Sequence, residues 1–185
     1  PVSTKMPSTP RNVGITNAVG RFIAFLDCDD KWESTKLEHQ IKLFDDSSCA
    51  VVFSYYKKMD ENGVERDKII TSPACVTYKQ LLNGNCIGNL TAMYDASKVG
   101  RVLQKEIHHE DYVMWLEILQ KGFVALNTNT VEAVYRESSF SVSGSKFAAF
   151  SWTWHIYREE LKLSFIKSLY HFIIYAVKGV LKFIK

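Results

Sequence analysis

The chain has few cysteines, and Cys28, Cys49, Cys75 and Cys86 form no C-x-x-C pair. That spacing argues against a zinc ribbon or a thioredoxin-like redox motif, and it fits a reducing cytoplasm. An excess of one charge is also lacking. With 23 basic and 20 acidic residues the net charge is only +3, so there is no global electrostatic case for nucleic acid as a partner. Residues 1–10 hold no basic start followed by an apolar run, so nothing there resembles a signal peptide. Toward the C-terminus, lysines interrupt every apolar stretch long enough to cross a hydrocarbon core of ~30 Å. Internal repeats and low-complexity segments are missing as well. The opening lacks an initiator Met and runs almost at once into a helix and a strand, so the true beginning is expected to lie upstream.

What is present is apolar mass. Of 185 residues, 46% are hydrophobic and 13% aromatic, enough for one ordinary domain with a substantial core. Thr9 as N-cap, Pro10 at the first helical position and Gly20 as a stop predict a short helix over residues 10–19. The run 21–26 ends abruptly in Asp27-Cys28-Asp29-Asp30, and it reads as a parallel strand covered on both faces. A capping-box pattern, Thr35-Lys36-Leu37-Glu38, opens a helix with Leu37, Ile41 and Phe44 at helical spacing. Residues 50–56 form a second strand. Asn62-Gly63 signals a hairpin between 57–59 and 64–70. Residues 78–82 look helical, 90–94 strand-like, 111–120 an amphipathic helix ended by Gly122, and 124–126 and 131–136 short strands. This order predicts an α/β fold with a mostly parallel central sheet, antiparallel edge strands and C-terminal helices. In open sheets of this kind ligands bind beyond the carboxyl ends of strands, where the acidic cluster lies.

Three carboxylates within four residues repel one another, and a cation offsets that repulsion. Mg2+ or Mn2+ suits such a place, since these ions take one or two carboxylates and fill the rest of their shell with water and phosphate oxygens. The competing reading is an acidic turn, with Asp30 or Ser34 helping to start the next helix. A calcium loop is disfavoured because Lys31 and Trp32 stand where an EF-hand needs an oxygen ligand and a glycine.

The segments Pro10-Arg11-Asn12-Val13-Gly14-Ile15, Gly20 through Trp32 with its D-x-D, and Lys36-Leu37-Glu38 with Gln40 closely resemble glycosyltransferase family 2. With Glu110-Asp111 and later segments, the resemblance covers residues 10–143. It implies a GT-A-like fold and inverting transfer of a sugar from a nucleotide diphosphate donor. It further implies that Asp29 binds the metal, Mg2+ or Mn2+, and that Asp27 contributes to metal or donor-ribose contacts, with Asp30 nearby. Arg11 and Asn12 match a family segment beside the donor nucleotide, where Arg11 either meets a phosphate or holds the loop.

His108-His109-Glu110-Asp111 resembles the family's E-D dipeptide at a helix start. A sugar hydroxyl is a poor nucleophile, and a positioned base contributes ~10²–10⁴-fold. Asp111 is the candidate base, and Glu110 the residue that orients it or binds acceptor hydroxyls. Two other readings are open: acids favoured by the helix macrodipole, or a transition-metal site with the histidines, whose extended spacing disfavours chelation. Gly88-Asn89-Leu90-Thr91 matches a segment near the acceptor or the transferred sugar, so Asn89 and Thr91 are acceptor candidates, against a plain capped loop. Trp115 is either a sugar platform or core. Tyr135-Arg136 and the serines at 138, 139, 141 and 143 resemble a loop closing over the donor, with Arg136 on the diphosphate or satisfied by Glu137.

From Leu161 onward, lysines alternate with aliphatic and aromatic residues at helical spacing. The open readings are an interfacial helix on an anionic membrane, which the lysine-rich face favours, and a helix packed on protein. The expected organisation is therefore residues 1–144 as a partial catalytic domain, lacking the upstream strands that hold the nucleotide base in this family, and 145–185 as a helical extension. The expected site is cytoplasmic, peripheral on the inner face of the cytoplasmic membrane. The expected function is transfer from a nucleotide-diphospho-sugar to a saccharide or lipid-linked saccharide in surface polysaccharide assembly. The alternatives are a nucleotidyltransferase, which would release pyrophosphate, and a non-catalytic assembly module.

Overall fold

The computed structural model describes residues 6–137 and 146–184. The elements run α1 (Ser8–Asn17), β1 (Phe22–Ala24), β2 (Lys31–Trp32), α2 (Lys36–Leu43), β3 (Cys49–Met59), β4 (Cys75–Val76), α3 (Tyr78–Leu81), β5 (Met93–Asp95), α4 (Ala96–Val99), α5 (Glu110–Gln120), β6 (Val124–Arg136), α6 (Lys146–His155) and α7 (Phe165–Ile184). A short 3₁₀ turn, Asn89–Thr91, precedes β5, and α6 continues as a π-helical turn over Ile156–Glu160.

The six strands form one sheet in the order β1-β5-β3-β6-β2, with β4 also on β6. The α/β class and the C-terminal helices are as expected, but the sheet is mixed. Among the described residues only β3 and β6 run parallel. The 21–26 run, expected as a parallel strand, yields β1, antiparallel to β5 with Ile23 opposite Tyr94. An apolar run reveals that both faces are covered, not which direction its neighbour takes. The two short strands expected at 124–126 and 131–136 are one long strand, β6. Register shifts in the β3–β6 ladder and a left-handed Asn129 (φ 58°) mark irregularities at residues 127–130, between the two expected segments.

Helix caps differ from the pattern too. Helix α1 begins at Ser8, and Thr9 donates to Glu106 Oε1 instead of capping. Thr35 makes no side-chain cap. The real capping box is Thr77 with Gln80, which opens α3.

The core lies between the sheet and α5, which buries Tyr112 through Leu116 together with Ile118 and Leu119. Trp115 is fully buried and stands edge-on to Phe25 and Tyr94, at 6.0 and 6.4 Å between ring centroids. Burial on this scale anchors α5 rigidly, and so fixes the residues at its N-terminus. Ile156 and Tyr157 join the same buried cluster.

Candidate active site

Strand β1 ends short of the acidic cluster, and the chain turns back through Asp30 N donating to Asp27 O at 3.1 Å. It then pairs as β2 with the far end of β6, Lys31 opposite Val134. This pairing puts Arg136 beside the cluster. The Arg136 backbone N donates to Asp30 Oδ1 at 2.9 Å, and its guanidinium donates to the carbonyls of Asp29, Asp60 and Glu61. Glu137, a candidate partner for Arg136 in the sequence, pairs instead with Lys58 and Arg66. The serines at 138, 139, 141 and 143 lie outside the described residues.

Across the cleft, α5 begins with Glu110 and Asp111. His109, just before it, holds a left-handed backbone (φ 61°), a conformation that is unfavourable for a non-glycine residue and concentrated at functional sites. Its Nε2 is buried and finds no hydrogen-bond partner among the described residues. His108 stacks on Trp152 of α6 at 3.9 Å. No group of three His, Cys, Asp or Glu side chains suited to a metal is found among the described residues.

Asp29, Asp30, Glu110 and Asp111 line one open cleft of about 670 Å³ together with Arg11, Asp27, Asn89 and Arg136. The two acidic motifs, some eighty residues apart in sequence, thus share one space. Arg11 ties them together. Its Nη2 donates to Asp27 Oδ2 at 2.6 Å and its Nη1 to Glu110 Oε1 at 2.7 Å. Arg11 thus bridges the strand-end cluster and the start of α5. Asn12 lies behind the cleft, exchanging hydrogen bonds with the backbone of Gln104.

Burial, with the negative charges of Asp29 and Asp27 adding to it, raises the Asp30 pKa to about 6. Burial, then the charge of Glu110, raises Asp111 to about 6 as well. Asn85 Nδ2 donates to Asp111 Oδ2 at 3.1 Å and orients that carboxylate.

Two acceptor candidates do not reach the cleft. Trp115 is core, on the buried face of a helix that presents only its first turn to the site. Thr91 is buried and donates to Gly88 O at 2.7 Å. Asn89 does line the cleft.

Sequence reasoning missed a buried network behind the site. On α2 the apolar spacing pointed to Leu37 and Ile41, yet these are exposed, while Lys36 and Gln40 are fully buried. Lys36 Nζ donates to Gln40 Oε1 at 2.5 Å and lies 4.6 Å from the centre of the Trp32 ring. Gln40 Nε2 donates to Thr91 O, and Trp32 Nε1 to Leu90 O, each at 2.7 Å. Burial lowers the Lys36 pKa to about 8. The network joins the segment after the acidic cluster to the 88–91 loop on the other side of the cleft. The only sequence signal was two long polar residues one helical turn apart, in register with Trp32.

Residues 4–116 match the glycosyl transferase family 2 model. TuaG of Bacillus subtilis (strain 168), named for teichuronic acid biosynthesis, is 39% identical over 173 residues, covering 93% of this chain and 69% of TuaG. WfgD of Escherichia coli, a UDP-Glc:alpha-D-GlcNAc-diphosphoundecaprenol beta-1,3-glucosyltransferase, is 31% identical, covering 93% of this chain and 67% of WfgD. Among solved structures, S. aureus TarS 1-349 in complex with UDP-GlcNAc superposes with a TM-score of 0.62 at 16% identity. That likeness covers 92% of this chain and about half, 51%, of the TarS chain, and at this identity it speaks for the fold alone. The chain belongs to glycosyl transferase family 2, and its fold is GT-A-like.

Proposed function

We propose that this chain transfers a sugar, with inversion, from a nucleotide-diphospho-sugar to a hydroxyl of a lipid-linked saccharide during surface polysaccharide assembly. The observation that carries this reading is the joint lining of one cleft by Asp29 and Asp111. A donor diphosphate and an acceptor hydroxyl need groups of these two kinds facing one space. The family match and the acceptor named for WfgD support the substrate class.

In this mechanism Asp111 accepts the acceptor's hydroxyl proton as the oxygen attacks the anomeric carbon. The bond from that carbon to the diphosphate breaks, and nucleoside diphosphate leaves with the electron pair. A carboxylate with its pKa near 6 is ionised at neutral pH yet more basic than an exposed one, as a general base requires. Asn85 aims it, and Arg11 keeps Glu110 beside it.

Five carboxylates line the cleft against three cationic side chains, Arg11, Lys58 and Arg136. An anionic diphosphate entering such a site needs a further positive charge. The chemistry fits the sparse kind of Mg2+ or Mn2+ site, in which one or two carboxylates and the substrate's own oxygens hold the ion. Asp29, exposed at the turn, is the ligand we assign, with Asp30 beside it. Asp27, committed to Arg11 through three contacts, is left a supporting role. Bound there, a divalent ion would offset charge on the leaving diphosphate.

Helix α7 supports a peripheral position on the cytoplasmic face of the membrane. Ile166, Leu169, Ile173, Val177 and Val180 stand on its surface, between 41% and 79% exposed, with Lys167 and Lys178 on one line of the helix beside them. No helix of the described residues is long and apolar enough to cross a membrane.

The test is a donor-hydrolysis screen of nucleotide sugars with and without Mn2+, followed by transfer to a GlcNAc-diphospholipid. We expect release of nucleoside diphosphate and one β-linked product. Release of pyrophosphate from a nucleoside triphosphate mixed with a sugar 1-phosphate, with no turnover of nucleotide sugars, would make the enzyme a nucleotidyltransferase instead.

A further inference from the structure

A second cavity, of about 540 Å³, adjoins the catalytic cleft and shares Tyr56 and Gly88 with it. One wall is the segment from Ile70 to Gly88; α7 supplies the other through Tyr175, Lys178 and Gly179. The close approach of α7 depends on Gly84, whose φ is +119° and where an added Cβ would stand 3.1 Å from the Tyr175 ring. His171 and Asn83, 2.8 Å apart, pin the helix at the same place.

The chemistry of this cavity differs from that of the cleft. No acidic side chain lines it, and it carries one cation, Lys178, for which no carboxylate partner exists among the described residues. Amides from Gln80, Asn83 and Asn85 face apolar Ile70, Val76 and Ile87. Asn85 belongs to this wall and also donates to Asp111 at 3.1 Å, so the cavity ends at the candidate base. At the other end Lys178 adjoins the outward apolar row of α7, where Val177 and Leu181 are 52% and 55% exposed. A ligand spanning the cavity therefore meets hydrogen-bonding groups beside the base, then a positive charge, then an apolar helix surface. That is the order of groups in a saccharide attached through phosphate to a lipid.

We infer that this cavity is the acceptor subsite: the saccharide lies along Asn85 with its reacting hydroxyl toward Asp111, and its diphosphate lies against Lys178. The inference rests on the transferase reading above and adds the direction from which the acceptor enters.

The test uses the full chain and a soluble probe, N-acetylglucosaminyl diphosphate carrying a short alkyl ester, titrated calorimetrically. Two substitutions address the cavity without touching the cleft. Lys178→Glu reverses its only cation. Gly179→Phe fills it from a helical position where an added Cβ meets nothing within 4 Å, and replacing a helical glycine does not disfavour folding. We expect wild type to bind the probe, both variants to bind it at least tenfold more weakly with wild-type melting curves, and Lys178→Arg to keep the affinity. Equal affinity in wild type, Lys178→Glu and Gly179→Phe would overturn the assignment, as would failure of wild type to bind the probe. Donor hydrolysis by wild type is measured separately. Probe binding without any hydrolysis would leave the subsite standing and remove the transferase reading.

Discussion

Arg11, on α1, donates to Glu110, the first residue of α5, across 2.7 Å. The Glu110 side chain is only 14% exposed, whereas Asp27, the other partner, is 42% exposed and better screened by solvent. Most of the energetic value therefore lies on the Glu110 side. Arg11→Met strands that carboxylate, at a cost on the order of 3 kcal/mol, and should lower the melting temperature by ~6–12 °C for a chain of this size. Lysine cannot fork to both acids, so Arg11→Lys should fall between. A melting curve like that of wild type for Arg11→Met would show that this contact does not hold the two halves of the site together.

Asp111 has opposite effects on activity and stability. Its pKa rises from 3.8 to about 6 on folding, first through burial and then through the charge of Glu110. A raised folded-state value means that the group's stabilising contribution is fully present below pH 4 and is lost as pH rises through 6. At pH 8 the ionised carboxylate costs ~1–3 kcal/mol. We expect Asp111→Asn to melt later than wild type at pH 8, with the difference gone near pH 4, while transfer falls ~10²–10⁴-fold. Wild-type transfer should drop about tenfold per unit below pH 6. A flat profile between pH 5 and 7 would dismiss Asp111 as the base.

Trp32→Phe keeps the ring under Lys36 but removes the donor to Leu90 O. The lost hydrogen bond costs ~1–2 kcal/mol, and the freed 88–91 loop should raise the acceptor KM more than the donor KM. Equal changes in both constants would mean that the network supports the fold without positioning that loop.

Asp29→Asn tests the metal assignment directly. Calorimetry with UDP should show binding strengthened by Mn2+ in wild type and indifferent to Mn2+ in the variant. Chelation should abolish transfer by wild type. If the variant responds to Mn2+ as wild type does, the ion sits elsewhere.

Ile173→Glu with Val177→Glu puts charge into the exposed row of α7. Flotation with anionic vesicles should recover wild type and lose the double variant, and recovery of wild type should fall as salt is raised. Equal flotation of the two proteins would count against the membrane contact.

The amino-acid sequence determined the chemical repertoire and the local elements that carry it. The D-x-D after an apolar run, the Glu-Asp pair at a helix start and the alternation of strand and helix are all patterns within short windows, and they led to the right family and fold. What the tertiary structure decided was pairing and facing. Periodicity ranks residues by hydrophobicity, so it offered Leu37 and Ile41 as the inner face of α2; the carbonyls of Leu90 and Thr91, supplied by a distant segment, instead drew Trp32 and Gln40 inward, and Lys36 with them. Trp115 was ambiguous in sequence because an aromatic suits a core and a sugar equally, and Phe25 and Tyr94 packing against it settled the matter. The bridge from Arg11 to Asp27 and Glu110 spans 16 and 99 positions. Contacts of that separation exist only once the sheet order is fixed, because no local pattern encodes which distant segment will be the neighbour.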